Sequence, residues 1–167
     1  MICLMAVKTG HVLDSKVLNG LATQNIPIDL LISPCTPVHN EKVRECSINR
    51  SRNELQRLAS TIDTELVMLM DSDVVLTDPT TVSKMVAQLG YRKTCVAVQT
   101  KDKLDNHVVT ACAVIRKSDY DRIDYSSTPS ICQCQLIAIT CGSEYLIGIN
   151  AYEIEDPAYN LGEPKNL

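Results

Sequence analysis

Two uninterrupted apolar runs constrain this chain more than anything else in it: Ile2 to Val7 (ICLMAV) and Leu66 to Met70 (LVMLM). A strand with one face in water alternates apolar and polar residues, so a run without a polar member reads as a strand buried on both faces. Such strands need helices above and below them. Val12 to Ala22 supplies one, with Leu13, Val17, Leu18 and Leu21 at helical spacing. Ile28 to Ile32 is then a second strand, stopped by the Pro-rich stretch Ser33-Pro34-Cys35-Thr36-Pro37, which makes the opening a βαβ unit.

Pro37 to Ser47 lacks periodicity and reads as a connecting loop. Ser51 and Glu54 have capping-box spacing ahead of a helix over Asn53 to Thr61 with Leu55, Leu58 and Ile62 as its apolar stripe. After the second apolar run, Val74 to Leu76 resumes the extended character, and Asp78-Pro79 opens a helix carrying Val82, Met85, Val86 and Leu89 up to Gly90. Cys95 to Val98 and Val108 to Ile115 are further strands joined by the charged segment Thr100 to His107. Ser118 and Asp121 repeat the capping-box spacing before a short helix, Asp119 to Ile123. Ile131 to Cys141 fits a buried helix and Tyr145 to Ile149 a last strand. Strands alternating with helices predict an α/β sandwich with a mixed, mainly parallel sheet, its antiparallel additions in the second half.

Composition narrows the functional classes. At 167 residues, 45% hydrophobic and 22% charged, the chain has room for one core that buries ~70% of the surface an unfolded chain exposes. Six Tyr stand with no Phe and no Trp, so aliphatic side chains, Met and Cys fill that core. A net charge of −4, with no Lys/Arg run, argues against a nucleic-acid partner. The apolar run at the start is far short of the ~20 residues that span a bilayer, and the expectation is a soluble, cytoplasmic protein. Eight cysteines include no CxxC pair; Cys3, Cys95 and Cys112 read as small buried hydrophobes, while disulfides among Cys35, Cys46, Cys132, Cys134 and Cys141 stay open.

The residues with chemistry are Asp71-Ser72-Asp73, at the end of the most apolar strand. In an open α/β sheet ligands bind in the crevice at the carboxyl ends of the strands. Carboxylates at i and i+2 of an extended segment share a side and can approach one cation together, or divide between a cation and a sugar hydroxyl. Oxygen ligands suit Mg²⁺ or Mn²⁺. The bland alternative is a plain turn between two apolar runs, against which stand the five apolar residues that aim the pair at the sheet edge.

Ser51-Arg52-Asn53, a striped helix, and Glu65 to Asp73 together resemble the donor-binding half of glycosyltransferases with the GT-A (Rossmann-like) fold, the family 2-like group above all; the first βαβ unit is similar to the nucleotide-binding start of that fold. The resemblance covers about Met1 to Leu89. It implies a nucleotide-sugar site (UDP- or GDP-sugar) with the base between the first strand and the Ser33-Pro34 loop, drawing on Val7, Thr9 and Ser33. Ribose and metal would lie at Asp71, Ser72 and Asp73, with Arg52 on phosphate or orienting Asp71 and Asn53 orienting the same loop. Apart from the resemblance, His107, in the loop after the fifth strand, is a candidate to complete a metal shell or contact the acceptor, the bland alternative being a solvated loop histidine.

The family's pattern breaks in two places. No acid follows the second strand to contact the base. The Glu-Asp pair that opens a late helix in inverting members is replaced by Cys132-Gln133-Cys134-Gln135, and neither Gln nor a neutral Cys is a suitable base. Three explanations remain: a base elsewhere, with Asp119, Asp121 and Glu144 as candidates; a retaining reaction needing none; or a nucleotide- or glycan-binding module without catalysis. A sugar-phosphate nucleotidyltransferase is a rival enzyme class, although Lys8-Thr9-Gly10-His11 is too Gly-poor for its phosphate loop. The resulting domain plan is minimal: residues 1–157 as one GT-A-like domain, split into a donor half (1–90) and an acceptor half (91–157), with 158–167 as a tail. The acceptor, whether glycan, lipid or protein, is not specified, and a homo-oligomer is one way to complete so short an acceptor half.

Overall fold

A computed structural model describes residues 1–35, 41–89, 95–98, 112–126, 133–142, 144–146 and 151–153. Strands β1 (Ile2–Lys8), β2 (Asp29–Cys35), β3 (Leu66–Asp71), β5 (Cys95–Val98), β6 (Cys112–Arg116) and β7 (Glu144–Leu146) form one sheet in the order β2-β1-β3-β6-β5-β7. All its pairings are parallel except those of β6, which runs antiparallel to β3 and β5. A second, two-stranded antiparallel sheet joins β4 (Val74–Leu76) to β8 (Ala151–Glu153). This is the mixed, mostly parallel α/β sheet that the apolar runs predict.

Alternation along each central strand divides the core in two. Ile2 and Leu4 of β1, Val67 and Leu69 of β3, and Ala113 and Ile115 of β6 face helices α2 (Glu41–Ala59), α4 (Lys117–Tyr120) and α5 (Gln133–Cys141). Cys3, Met5, Met68, Met70, Cys112 and Val114 face α1 (Ser15–Ala22), β4 and α3 (Thr81–Gln88). No residue of a run covered on both faces can be polar, which is why β1 and β3 read as unbroken apolar segments. By the same parity Asp71, two residues beyond Leu69, belongs to the α2 side.

Several element boundaries differ from the sequence reading. Helix α2 begins at Glu41, so most of the expected loop from Pro37 to Ser47 is helix, and Ser51 is an interior residue, not a cap. Glu, Lys and Arg form helix well without an apolar stripe, so periodicity gave no sign of these first turns. β2 continues through Pro34 to Cys35 because β2 is an edge strand, where a missing N–H costs no ladder bond. Asp78-Pro79 forms a turn, Asp78 accepting from Thr80 N at 2.8 Å, and α3 starts two residues later than expected. Ser118 lies inside α4, and Asp121 pairs with Lys117 Nζ at 2.7 Å instead of capping. Cys3 and Cys112 are buried free thiols.

Two side-chain devices fix the layers. Gly20 on α1 lies against β4 so closely that a Cβ there would meet Leu76 O at 2.7 Å. Gln24, just past α1, donates to Gly20 O at 2.9 Å and Asp78 O at 3.1 Å and accepts from Val82 N at 3.1 Å, tying the end of α1 to the start of α3.

Candidate functional site

The carboxyl ends of β1, β2 and β3 stand side by side: Ala6 is in register with both Ser33 and Asp71, and Val7 with Pro34. Asp71 is the last residue of β3, and Ser72-Asp73 make the turn into β4. The two carboxylates therefore follow a turn and not the strict two-residue alternation of an extended segment. All three residues are half-buried, at the rim of the sheet.

Arg52 explains how Asp71 is held. Its guanidinium is 1% exposed, donating through Nη1 to Leu4 O on β1 at 3.2 Å and through Nη2 to Asp71 Oδ1 at 3.1 Å. A buried cation must be paired and hydrogen-bonded to be tolerated, and these partners meet that need. Glu54, two residues on, pairs with Arg57 at 2.8 Å. Arg52 lies in the interior of α2, so no helix N-terminus adds to its charge, and its depth leaves no edge for a phosphate. Asn53, one residue on and about 100° round the helix, is exposed and turned from Asp71.

Thr9, exposed just past β1, donates to Cys35 O from its N–H at 2.8 Å and its hydroxyl at 3.3 Å, closing the ends of β1 and β2 together. Val7 and Ser33 stand at the same end but are 7% and 4% exposed. Both are buried there, while Thr9 beside them is exposed. The Ser51 hydroxyl donates to Pro34 O at 3.2 Å, a tie that nothing in the spacing of residues announced. Cys112, level with Met70, has its thiol pushed up by burial first and then by the nearby Cys3 and Asp71.

The three candidate bases are not brought to Asp71. β6 runs down the sheet, so Arg116 is level with Leu66 and Lys117 N reaches Glu65 O at 2.9 Å. Asp119 and Asp121 thus lie at the opposite end of β3, ~20 Å away at about 3.3 Å per strand residue. There Asp119 accepts from Arg122 and Asp121 from Lys117. Glu144 starts β7, three strands across and level with Val96, Val114 and Met68, below the carboxyl rim. His107 and Cys132 lie outside the described residues. Helix α5 starts with Gln133, and its first turn holds no acid. Its C-terminus precedes β7, which enters at the amino end of the sheet, so its N-terminus is turned to the Asp71 end.

Chemically the rim offers two carboxylates to a hard cation that keeps waters or phosphates in its shell. Among the described residues no group of three or more His, Cys, Asp or Glu could hold a metal by itself. Two acids from a strand-end turn are a donor set that Mg²⁺ or Mn²⁺ fits when a diphosphate supplies the rest.

No protein-family model matches the chain, and no curated protein does. Solved structures do. The chain is similar to A197 from STIV (12% identity, TM-score 0.63, 93% of this chain and 87% of that one). It is also similar to the galactosyltransferase LgtC, solved with donor and acceptor sugar analogs (12%, TM-score 0.57, 95% and 88%). A third is the mannosyltransferase PcManGT from Pyrobaculum calidifontis, solved with GDP-Man and Mn²⁺ (9%, TM-score 0.65); 91% of this chain matches 56% of that one. At such identities the likeness is one of fold, and the fold is that of GT-A glycosyltransferases.

Proposed function

We propose that this GT-A-like chain is a glycosyltransferase that uses Mn²⁺ or Mg²⁺ to move a sugar from a UDP- or GDP-sugar to a glycan, lipid or protein acceptor. The observation that carries this is the Asp71-Ser72-Asp73 turn at the carboxyl end of the central strand, with Asp71 held by a buried arginine. PcManGT, which shares the fold, was solved with a nucleotide sugar and Mn²⁺, and this supports the donor class.

In this reading the base lies over the ends of β1 and β2, with Val7 and Ser33 beneath and Thr9 at its edge. Asp71 and Asp73 hold the cation and the ribose, Ser72 lying between them. A divalent ion held by Asp71 and Asp73 would supply Lewis-acid stabilisation of the leaving group. The chain's own residues hold and orient the donor, and that positioning lowers the barrier; as the acceptor oxygen bonds to the anomeric carbon and the sugar–phosphate bond breaks, the hydroxyl proton passes to the leaving diphosphate. A second reading, a binding module of the same fold, is favoured by the acid-free first turn of α5.

A thermal-shift panel of UDP, GDP, CMP and their sugars, with and without Mn²⁺, tests both. Metal-dependent stabilisation by one diphosphate family, followed by slow hydrolysis of its sugar donor, is expected. Binding without hydrolysis selects the module, and no metal-dependent stabilisation by any nucleotide rejects the transferase reading. Asp73→Asn is expected to abolish the Mn²⁺ dependence of the shift while leaving the ligand-free melting temperature within a few degrees.

A further inference from the structure

Two consecutive residues of α2 reach all three strands that frame the rim. Ser51 bonds to β2 at Pro34 O, and Arg52 bonds to β1 at Leu4 O and to β3 at Asp71 Oδ1. The exposures of the last pair are opposite: 1% for the Arg52 side chain and 39% for that of Asp71. A ligand at the rim can touch the carboxylate and cannot touch the guanidinium. Whatever Arg52 contributes to binding must therefore pass through its partners.

We propose that Arg52 is a positioning residue for the donor site: by engaging Asp71 Oδ1 while anchored on Leu4 O, it fixes the Asp71 carboxylate toward the crevice, and its effect on metal-nucleotide binding runs through Asp71. The planar guanidinium spans two acceptors on neighbouring strands with a fixed fork, which an ammonium on a flexible stem does not reproduce. A carboxylate fixed before the ligand arrives has no orientation to lose on binding, and its hold is supplied by packing and not by a loop. Hydrogen-bonding partners of metal-ligating groups typically change affinity by about 10–100-fold.

This proposal rests on the transferase reading, and a mutant cycle separates the two. Mn²⁺ binding in the presence of the nucleotide selected above is measured by electron paramagnetic resonance for wild type, Arg52→Lys, Asp71→Asn and the double variant, with Ser51→Ala as a control for loosening α2. Arg52→Lys is expected to weaken Mn²⁺–nucleotide binding at least about 10-fold, and the double variant to bind no worse than Asp71→Asn alone. Ser51→Ala should lower the melting temperature without that loss. Wild-type affinity in Arg52→Lys overturns the proposal, as do losses that multiply in the double variant. Should Arg52→Lys not fold, Asp71→Glu keeps the charge, leaves α2 untouched and displaces the carboxylate from Arg52; it must show the same loss, and wild-type binding there is equally fatal. Failure of wild type to bind any metal-nucleotide pair sinks the transferase reading itself.

Discussion

Asp71 and Asp73 are two residues apart and chemically identical, yet the fold treats them differently. Asp71 is the counter-charge of a buried arginine; Asp73 sits in the turn. Removing one partner of a buried pair costs about 3–5 kcal/mol, and the 39% exposure of Asp71 discounts that to about 1–3 kcal/mol. Asp71→Asn is thus expected to lower the ligand-free urea midpoint by that equivalent, and an unchanged midpoint would contradict its role as the counter-charge of Arg52. The position of Asp71 was legible in sequence because an unbroken apolar run aims at it. The burial of Arg52 was not read, although the signal was present: Arg52, Leu55 and Ala59 recur at i, i+3 and i+7, which puts the arginine in the apolar stripe of α2. A charged residue in such a stripe is easily assigned to the surface on type alone.

At the scale of elements, the sequence located what is apolar and missed what is polar. β1, β3, β5 and α5 follow their runs closely, but the first turns of α2 carry no stripe, and β8 is three residues long with no pattern to find. Pro34 stopped the reading of β2 early because the edge position that permits it is a property of the sheet, not of the segment. Gly20 is instructive for the same reason. In an isolated helix Gly→Ala stabilises by about 1 kcal/mol, but here the added methyl would stand 2.7 Å from Leu76 O on β4. Gly20→Ala is expected to destabilise by about 1–3 kcal/mol, read as a fall in melting temperature. An unchanged or raised value would mean that α1 is not pressed against β4.

Among the described residues the six-stranded sheet lies between two apolar layers, and the thiols on its strands report on that closure. Cys3 and Cys112 are fully buried, and desolvation pushes the Cys3 thiol up to about 12, with Arg52 acting weakly against it. At pH 8 both should resist alkylation in the native protein and react once urea unfolds it, which mass spectrometry of labelled peptides would show; rapid native labelling of either would mean that the layers open readily. β6, from beyond residue 90, covers the outer edge of β3 inside the same sheet as β1 and β2.

That sheet order also bears on how the chain acquires its structure. β1, the first strand in the chain, ends up between β2 and β3, and Ile2 finds its second partner only at Val67. Long-range parallel pairing is slow because loop closure precedes any reward in contacts. During synthesis an almost entirely apolar strand must wait with one edge uncovered until β3 has emerged, and β3 waits in turn for β6. The interval in which this protein is most exposed to aggregation is thus written into the order of its strands, before any ligand can help to hold them together.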